Sequence, residues 1–166
     1  MGAIHVRIFW IVIAFQFLSN LPVVAQDFEK GLAAYNIGDY ATSLAEWVPL
    51  AEQGNSNAQY KLGVMYRQGT GVHFDNFEAV TWYLAAAKQG HARAQSNLGF
   101  MYRTGRGVTQ SNLHAYMWYQ VANLHGYENA RKWLHNIKKK MTEIEIDEAD
   151  AIAAECMDYL SIACQY

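Results

Sequence analysis

The chain has 166 residues, about one domain's worth, and its 52% hydrophobic and 17% charged content excludes an intrinsically disordered protein. The net charge is −2, and apart from the run Lys138–Lys140, beside the acidic stretch Glu143–Asp150, its cations are scattered. Nucleic-acid binding needs a basic face with many phosphate contacts, and the sequence supplies none.

The N-terminus reads as a secretory signal. Arg7 gives a thin positive start, Ile8–Leu18 an apolar run, and Val23-Val24-Ala25 a small-residue site ahead of Gln26. The apolar run, about 11 residues, is short of the roughly 20 needed to span a bilayer as a helix. Cleavage between Ala25 and Gln26 is expected; an uncleaved N-terminal anchor is the alternative. No cysteine near the cut offers lipid attachment, and no second long apolar run follows. The mature protein is therefore expected to be periplasmic or secreted, with no stable membrane insertion. Residues 1–25 form the signal, 26–141 a helical repeat domain, and 142–166 a C-terminal capping helix and tail.

A first unit, about 27–57, opens with Asp27–Ile37, where Leu32 and Tyr35 are placed against Gly63 and Tyr66 of the next unit. Its turn at Gly38-Asp39 is about five residues shorter than the later ones by that alignment. A second helix follows through Ala51, with Leu44, Trp47 and Leu50 at helical spacing. Pro49 removes an N–H inside that helix and is expected to kink it.

The segment Ala58–Arg93 is then said twice. It aligns without a gap on Ala94–Asn129, with 16 of 36 positions identical. Self-similarity at that period marks a stacked repeat array. Asp39, Asp75 and Ser111 stand one period apart, each a residue type that caps a helix N-terminus. Glu78, three residues after Asp75, suggests a reciprocal capping box. Gly54, Gly90 and Gly126 stand at the other ends of the same helices, where a left-handed residue closes the last turn. One helix pair per repeat follows.

Inside the first helices, Leu62, Gly63 and Tyr66 recur as Leu98, Gly99 and Tyr102. A mid-helix glycine costs about 0.5–1 kcal/mol relative to alanine, so keeping two implies that a neighbouring helix crosses closely there. In the second helices Ala79, Tyr83 and Ala86 recur as Ala115, Tyr119 and Ala122, an interlocking stripe, with Trp82 and Trp118 beside it. The turns Gln68–Phe74 and Thr104–Gln110 each hold a Gly-x-Gly, but after a helix rather than a strand, which argues against a phosphate loop. Beyond Gly126 the register frays. Ala130 and Leu134 keep the pattern, while His135 stands where Gly63 and Gly99 stood. Thr142 and Glu145 form a second capping box and open a final helix with Ala149, Ile152 and Cys156 on its apolar stripe, the cap that a solenoid needs.

These residues resemble the Sel-one-like repeat family, relatives of the tetratricopeptide repeat. Ala58, Leu62, Gly63, Tyr66, Gly69, Gly71, Val72, Ala79, Trp82, Tyr83 and Ala86 carry the pattern once, and the residues 36 positions on, from Ala94 to Ala122, carry it again. With the atypical first and last units, the resemblance covers about Asp27–Met157. It implies an all-α, right-handed solenoid of antiparallel helix pairs that serves as a scaffold for protein partners. It implies no common catalytic residue and no cofactor.

Two chemistries remain to weigh. Cys156 and Cys164 would lie about 12 Å apart on one straight helix, beyond the ~7 Å limit between disulfide Cα atoms. They can bridge if the helix ends near Met157–Tyr159 and the chain doubles back, as an oxidising compartment favours; two free thiols on a continuing helix is the alternative. No metalloprotease His-Glu-x-x-His and no Ser-x-x-Lys is present, and no histidine stands at ligand spacing from either cysteine. The sequence thus points to a non-enzymatic interaction scaffold, with a groove at the first-helix positions Tyr60, Val64, Arg67, Phe100 and Arg103; the arginines read equally well as solvating a surface. An envelope enzyme or cell-wall ligand binder, acting on peptidoglycan or β-lactam-like compounds, is the second reading. Self-association stays open, because two full repeats are close to the minimum of about three for a stable stack.

Overall fold

In the computed structural model, which describes residues 27–158, eight helices follow one another: α1 (Phe28–Asn36), α2 (Tyr40–Glu52), α3 (Ser56–Gln68), α4 (Asn76–Ala87), α5 (Ala92–Thr104), α6 (Asn112–Leu124), α7 (Ala130–Lys138) and α8 (Glu143–Asp158). Each helix from α1 to α6 packs on the next, and α8 crosses back onto α6. Short helices of this kind are marginal alone and gain their stability from packing against neighbours. The expected signal at residues 1–25, its Ala25/Gln26 cut and Cys164 lie outside the described residues.

The caps explain where the second helices start. Asp39 Oδ1 accepts from Thr42 N at 3.1 Å, Asp75 Oδ1 from Phe77 N and Glu78 N at 2.8 and 3.1 Å, and Ser111 Oγ from His114 N at 3.2 Å. The reciprocal bond expected from Glu78 does not form, because Asp75 N donates instead to Tyr66 O at 3.0 Å, which ties the turn back to α3. The Thr142/Glu145 box does close: Thr142 N donates to Glu145 Oε2 at 2.7 Å and Glu145 N to Thr142 Oγ1 at 3.3 Å. Gly54, Gly90 and Gly126 have φ of 92°, 80° and 84°, the left-handed geometry that stops α2, α4 and α6. Pro49 lies in the last turn of α2, which runs on through it to Glu52.

Packing within each pair is a ring on a glycine. A Cβ at Gly63 would lie 2.5 Å from Tyr83 Cδ1, and one at Gly99 would lie 2.7 Å from Tyr119 Cδ1. The first unit uses the same device with a different ring, since Trp47 covers Gly31. Gly31, and not Leu32, is therefore the counterpart of Gly63. Trp47 follows Gly31 by 16 residues where Tyr83 follows Gly63 by 20, so the first turn is four residues shorter and the alignment drawn from sequence is one residue out. Trp47 also fixes its own orientation by donating from Nε1 to Phe28 O at 3.1 Å.

Two apolar clusters result. Trp47, Ala51, Ala58, Leu62 and Met65 form the N-terminal one. A larger one runs from Ala79 and Tyr83 through Leu98, Trp118 and Tyr119 to Ala149, Ala153 and Cys156. Tyr66 and Tyr102 are half-buried beside it, and Tyr102 stacks on His114 with ring centroids 5.1 Å apart. His135, in the glycine position of the frayed unit, is exposed.

Candidate interaction groove

The first helices of successive repeats bring their side chains together along one face. Tyr60 on α3 tilts against Tyr83 at 6.1 Å between centroids and stacks on His91 at 4.6 Å, so it serves packing as much as surface. Val64 and Phe100 are half-buried against the larger cluster. One helical turn beyond Val64, Arg67 donates from Nε to Tyr83 Oη at 3.1 Å. Its guanidinium also reaches forward to the next repeat, with Cζ 5.9 Å from the centre of the Phe100 ring.

Phe100 is the hub. Arg103 Cζ lies 5.3 Å from its centroid and Arg106 Cζ also 5.3 Å, so three guanidiniums surround one ring. Arg103 continues the line to α7, where it lies 5.4 Å from the Trp133 ring. Trp133 in turn stacks on Tyr119 at 6.3 Å and is flanked by Lys132. Cation–π contacts of this kind contribute about 0.5–1 kcal/mol when exposed and more when desolvated. At the other end, Lys61 Nζ stands 5.3 Å from the Tyr35 ring and 5.6 Å from Trp47.

Electrostatics follow the burial. Tyr83 is pushed up to about 12 by its burial, with the Arg67 charge opposing. Burial raises Tyr119 and Tyr60 as well, with Arg103 and Arg93 respectively working against it. Lys61 and His91 are held below their usual ranges, both chiefly by burial. The two repeats differ at one point. Where Arg67 bonds Tyr83, the equivalent Arg103 lies near enough to Tyr119 to favour its ionised form, yet no hydrogen bond of good geometry joins them. Arg103 Nε and Tyr119 Oη are both buried without a partner.

All five positions named from sequence lie on first helices, and Arg67 and Arg103 both lie against Phe100, whereas Tyr60 sits with His91 toward the start of α5. Arg106 and Trp133 were not anticipated. Arg106 lies in a turn read only for its glycines, and Trp133 in a unit whose register had frayed; the change from Thr70 to Arg106 between copies was the one available signal. A cavity of about 250 Å³ lies away from this face, lined by Gly90, Gln95, Trp118, His125 and Met157. No group of three or more His, Cys, Asp or Glu side chains suited to a metal occurs among the described residues. None of the described helices is long and apolar enough to cross a membrane.

Stacked helix pairs, a ring-on-glycine contact in each, and capped ends define an all-α repeat solenoid. Residues 56–91 and 92–127 each match the Sel1 repeat. Among solved structures, a protective antigen present in uropathogenic Escherichia coli strains, displaying an SLR fold, matches with a TM-score of 0.75 and 24% identity, over 81% of this chain and 30% of that one. At that identity the likeness concerns the fold. A Sel1 repeat protein from Oxalobacter formigenes matches with a TM-score of 0.62 and 31% identity, over 65% of this chain and 44% of that one. The chain thus spans less than half the length of either structure. No curated protein matches it in sequence. The chain is a Sel1-like repeat protein, and the repeats it carries generally mediate protein–protein interaction.

Proposed function

We propose that the protein is a non-enzymatic scaffold that holds a protein partner along the face built by Tyr60, Val64, Arg67, Phe100 and Arg103. The supporting observation is the line of rings and guanidiniums that passes from α3 through α5 to α7, with Arg67 also bonded to the helix-pair ring of Tyr83. A solenoid offers such a face to an extended peptide or a partner helix. In-cell crosslinking of the protein, followed by identification of what is captured, tests this reading. Capture should be lost in an Arg67→Glu, Arg103→Glu variant that melts at the parent temperature. Retention of every partner by that variant would show that the partner binds elsewhere.

The proposal places the protein in the periplasm or outside the cell, after removal of residues 1–25. The intact mass of the protein recovered from cells should then begin at Gln26; a chain retaining Met1 would make the segment an anchor. Cys156 and Cys164 are proposed to bridge in that compartment. Non-reduced protein should lack two protons and resist alkylation, whereas two alkylatable thiols would rule the bridge out.

A further inference from the structure

We infer that the partner presents an acidic segment to this face, its carboxylates held by Arg67, Arg103 and Arg106 around Phe100. The inference rests on the scaffold reading above and specifies the chemistry of what is bound. Three guanidiniums within 5.9 Å of one ring centre repel one another. Such a cluster is ordinarily offset by carboxylates, and among the described residues none lies within ion-pair distance of any of the three. Nor is one close in sequence: α3, α5 and α7 contain no Asp or Glu at all, while α8, packed on α6, carries Glu143, Glu145, Asp147, Glu148 and Asp150. The described side chains thus supply no negative counterpart to these arginines.

A second, independent observation points to an acceptor. Tyr119 is 1% exposed, and its hydroxyl has no hydrogen-bond partner; Arg103 Nε beside it has none either. In the preceding repeat the same two positions satisfy each other, Arg67 Nε donating to Tyr83 Oη. The repeat that holds the arginine cluster is therefore the one left with spare donors. An ionised carboxylate is an acceptor-only group with two oxygens, and it pairs with an arginine fork through short charge-assisted bonds. Phe100 and Trp133, the latter 36% exposed, offer ring faces to the carbon stem of a Glu or to an adjacent apolar residue. With three clustered cations and a net charge of −2, the face suits a short acidic stretch better than a nucleic-acid backbone.

The test is selection from a random library of displayed peptides about twelve residues long against the protein as recovered from cells. Winners should be enriched in Asp and Glu. Replacing those residues by Asn and Gln should weaken binding at least tenfold, and raising the salt should do the same. Arg67→Gln with Arg103→Gln should lose the winners, while Arg67→Lys with Arg103→Lys, which keeps the charge, should retain part of the affinity. Neutral winners that still depend on the two arginines would overturn the inference and leave the scaffold reading standing. Acidic winners that bind the glutamine variant unchanged would overturn the assignment of this face. Sedimentation of the protein alone covers the other occupant: association that is lost in the glutamine variant would assign the face to α8 of a second copy and overturn the proposal.

Discussion

Gly99 has no room for a methyl group, because a Cβ there would meet Tyr119 Cδ1 and Cε1, both at 2.7 Å. Two effects oppose each other in Gly99→Ala. Helix propensity favours alanine by about 0.5–1 kcal/mol, but forcing a ring out of a packed core costs about 1–3 kcal/mol. The second should win, since Tyr119 is itself buried between α5 and α6, and a net loss of about 1 kcal/mol in urea unfolding is expected. In a Tyr119→Leu background the same change should be neutral or stabilising; equal losses in both backgrounds would show that the ring is not the obstacle. His91 makes a second prediction at this scale. Its Nδ1 caps α5 by accepting from Ala94 N at 3.2 Å, which requires the neutral ring, and burial holds its pKa below the ordinary 6.5. Between the lowered folded value and 6.5 the unfolded chain binds more protons, so His91 contributes stability above 6.5 that is lost as pH falls through the folded value. His91→Asn should keep the cap, as Asn55 does for α3, and make the unfolding midpoint less sensitive to acid. His114, also depressed by burial, should leave a residual slope.

Helix boundaries were largely legible because they rest on local chemistry. Asp39, Asp75, Ser111 and Thr142 each act within four residues of themselves, and the closing glycines need only a left-handed φ. What escaped depends on contacts between elements. The first unit was misaligned because the residue that identifies its glycine, Trp47, is a different ring from Tyr83 and arrives after a shorter turn. The reciprocal Glu78 bond failed because Asp75 N had a competing acceptor in Tyr66 O of the preceding helix. The arginine cluster was half legible for the same reason: Arg67 and Arg103 share a register, but only the folded array carries Arg106 to Phe100 and Trp133 to Arg103. For α8 an apolar stripe was legible in the residue spacing, and the structure adds that α8 lies on α6. Ala153 has 0% exposure in that contact, so Ala153→Glu buries a carboxylate without a partner. Undocking of α8 should follow, seen as protease cleavage between Lys138 and Glu143 and faster amide exchange in α6, with α3 unaffected. Unchanged exchange in α6 would mean that the cap contributes little to it.

At the scale of the whole molecule, the two apolar clusters imply unequal stability along the array. A solenoid unit touches only its neighbours, so losses propagate weakly with distance. Trp47, wholly buried, joins α1 to α2 by covering Gly31 and stacks against Phe28 with centroids 5.7 Å apart. Trp47→Ala removes that ring and opens a cavity, a change that costs about 3–5 kcal/mol in a core that cannot collapse around it. The larger cluster does not contain Trp47. Amide exchange in residues 28–52 should therefore approach that of an unfolded chain, while residues 94–122 keep most of their protection. Because Arg67, Phe100, Arg103 and Trp133 are held by α3 to α7, the same variant should still bind an acidic peptide, with at most a small loss from the displaced Lys61, whose Nζ lies 5.6 Å from the Trp47 ring. Parallel loss of protection in both regions would instead make the array one cooperative unit. In that case the groove would owe its geometry to the first helix pair as well as to the two full repeats.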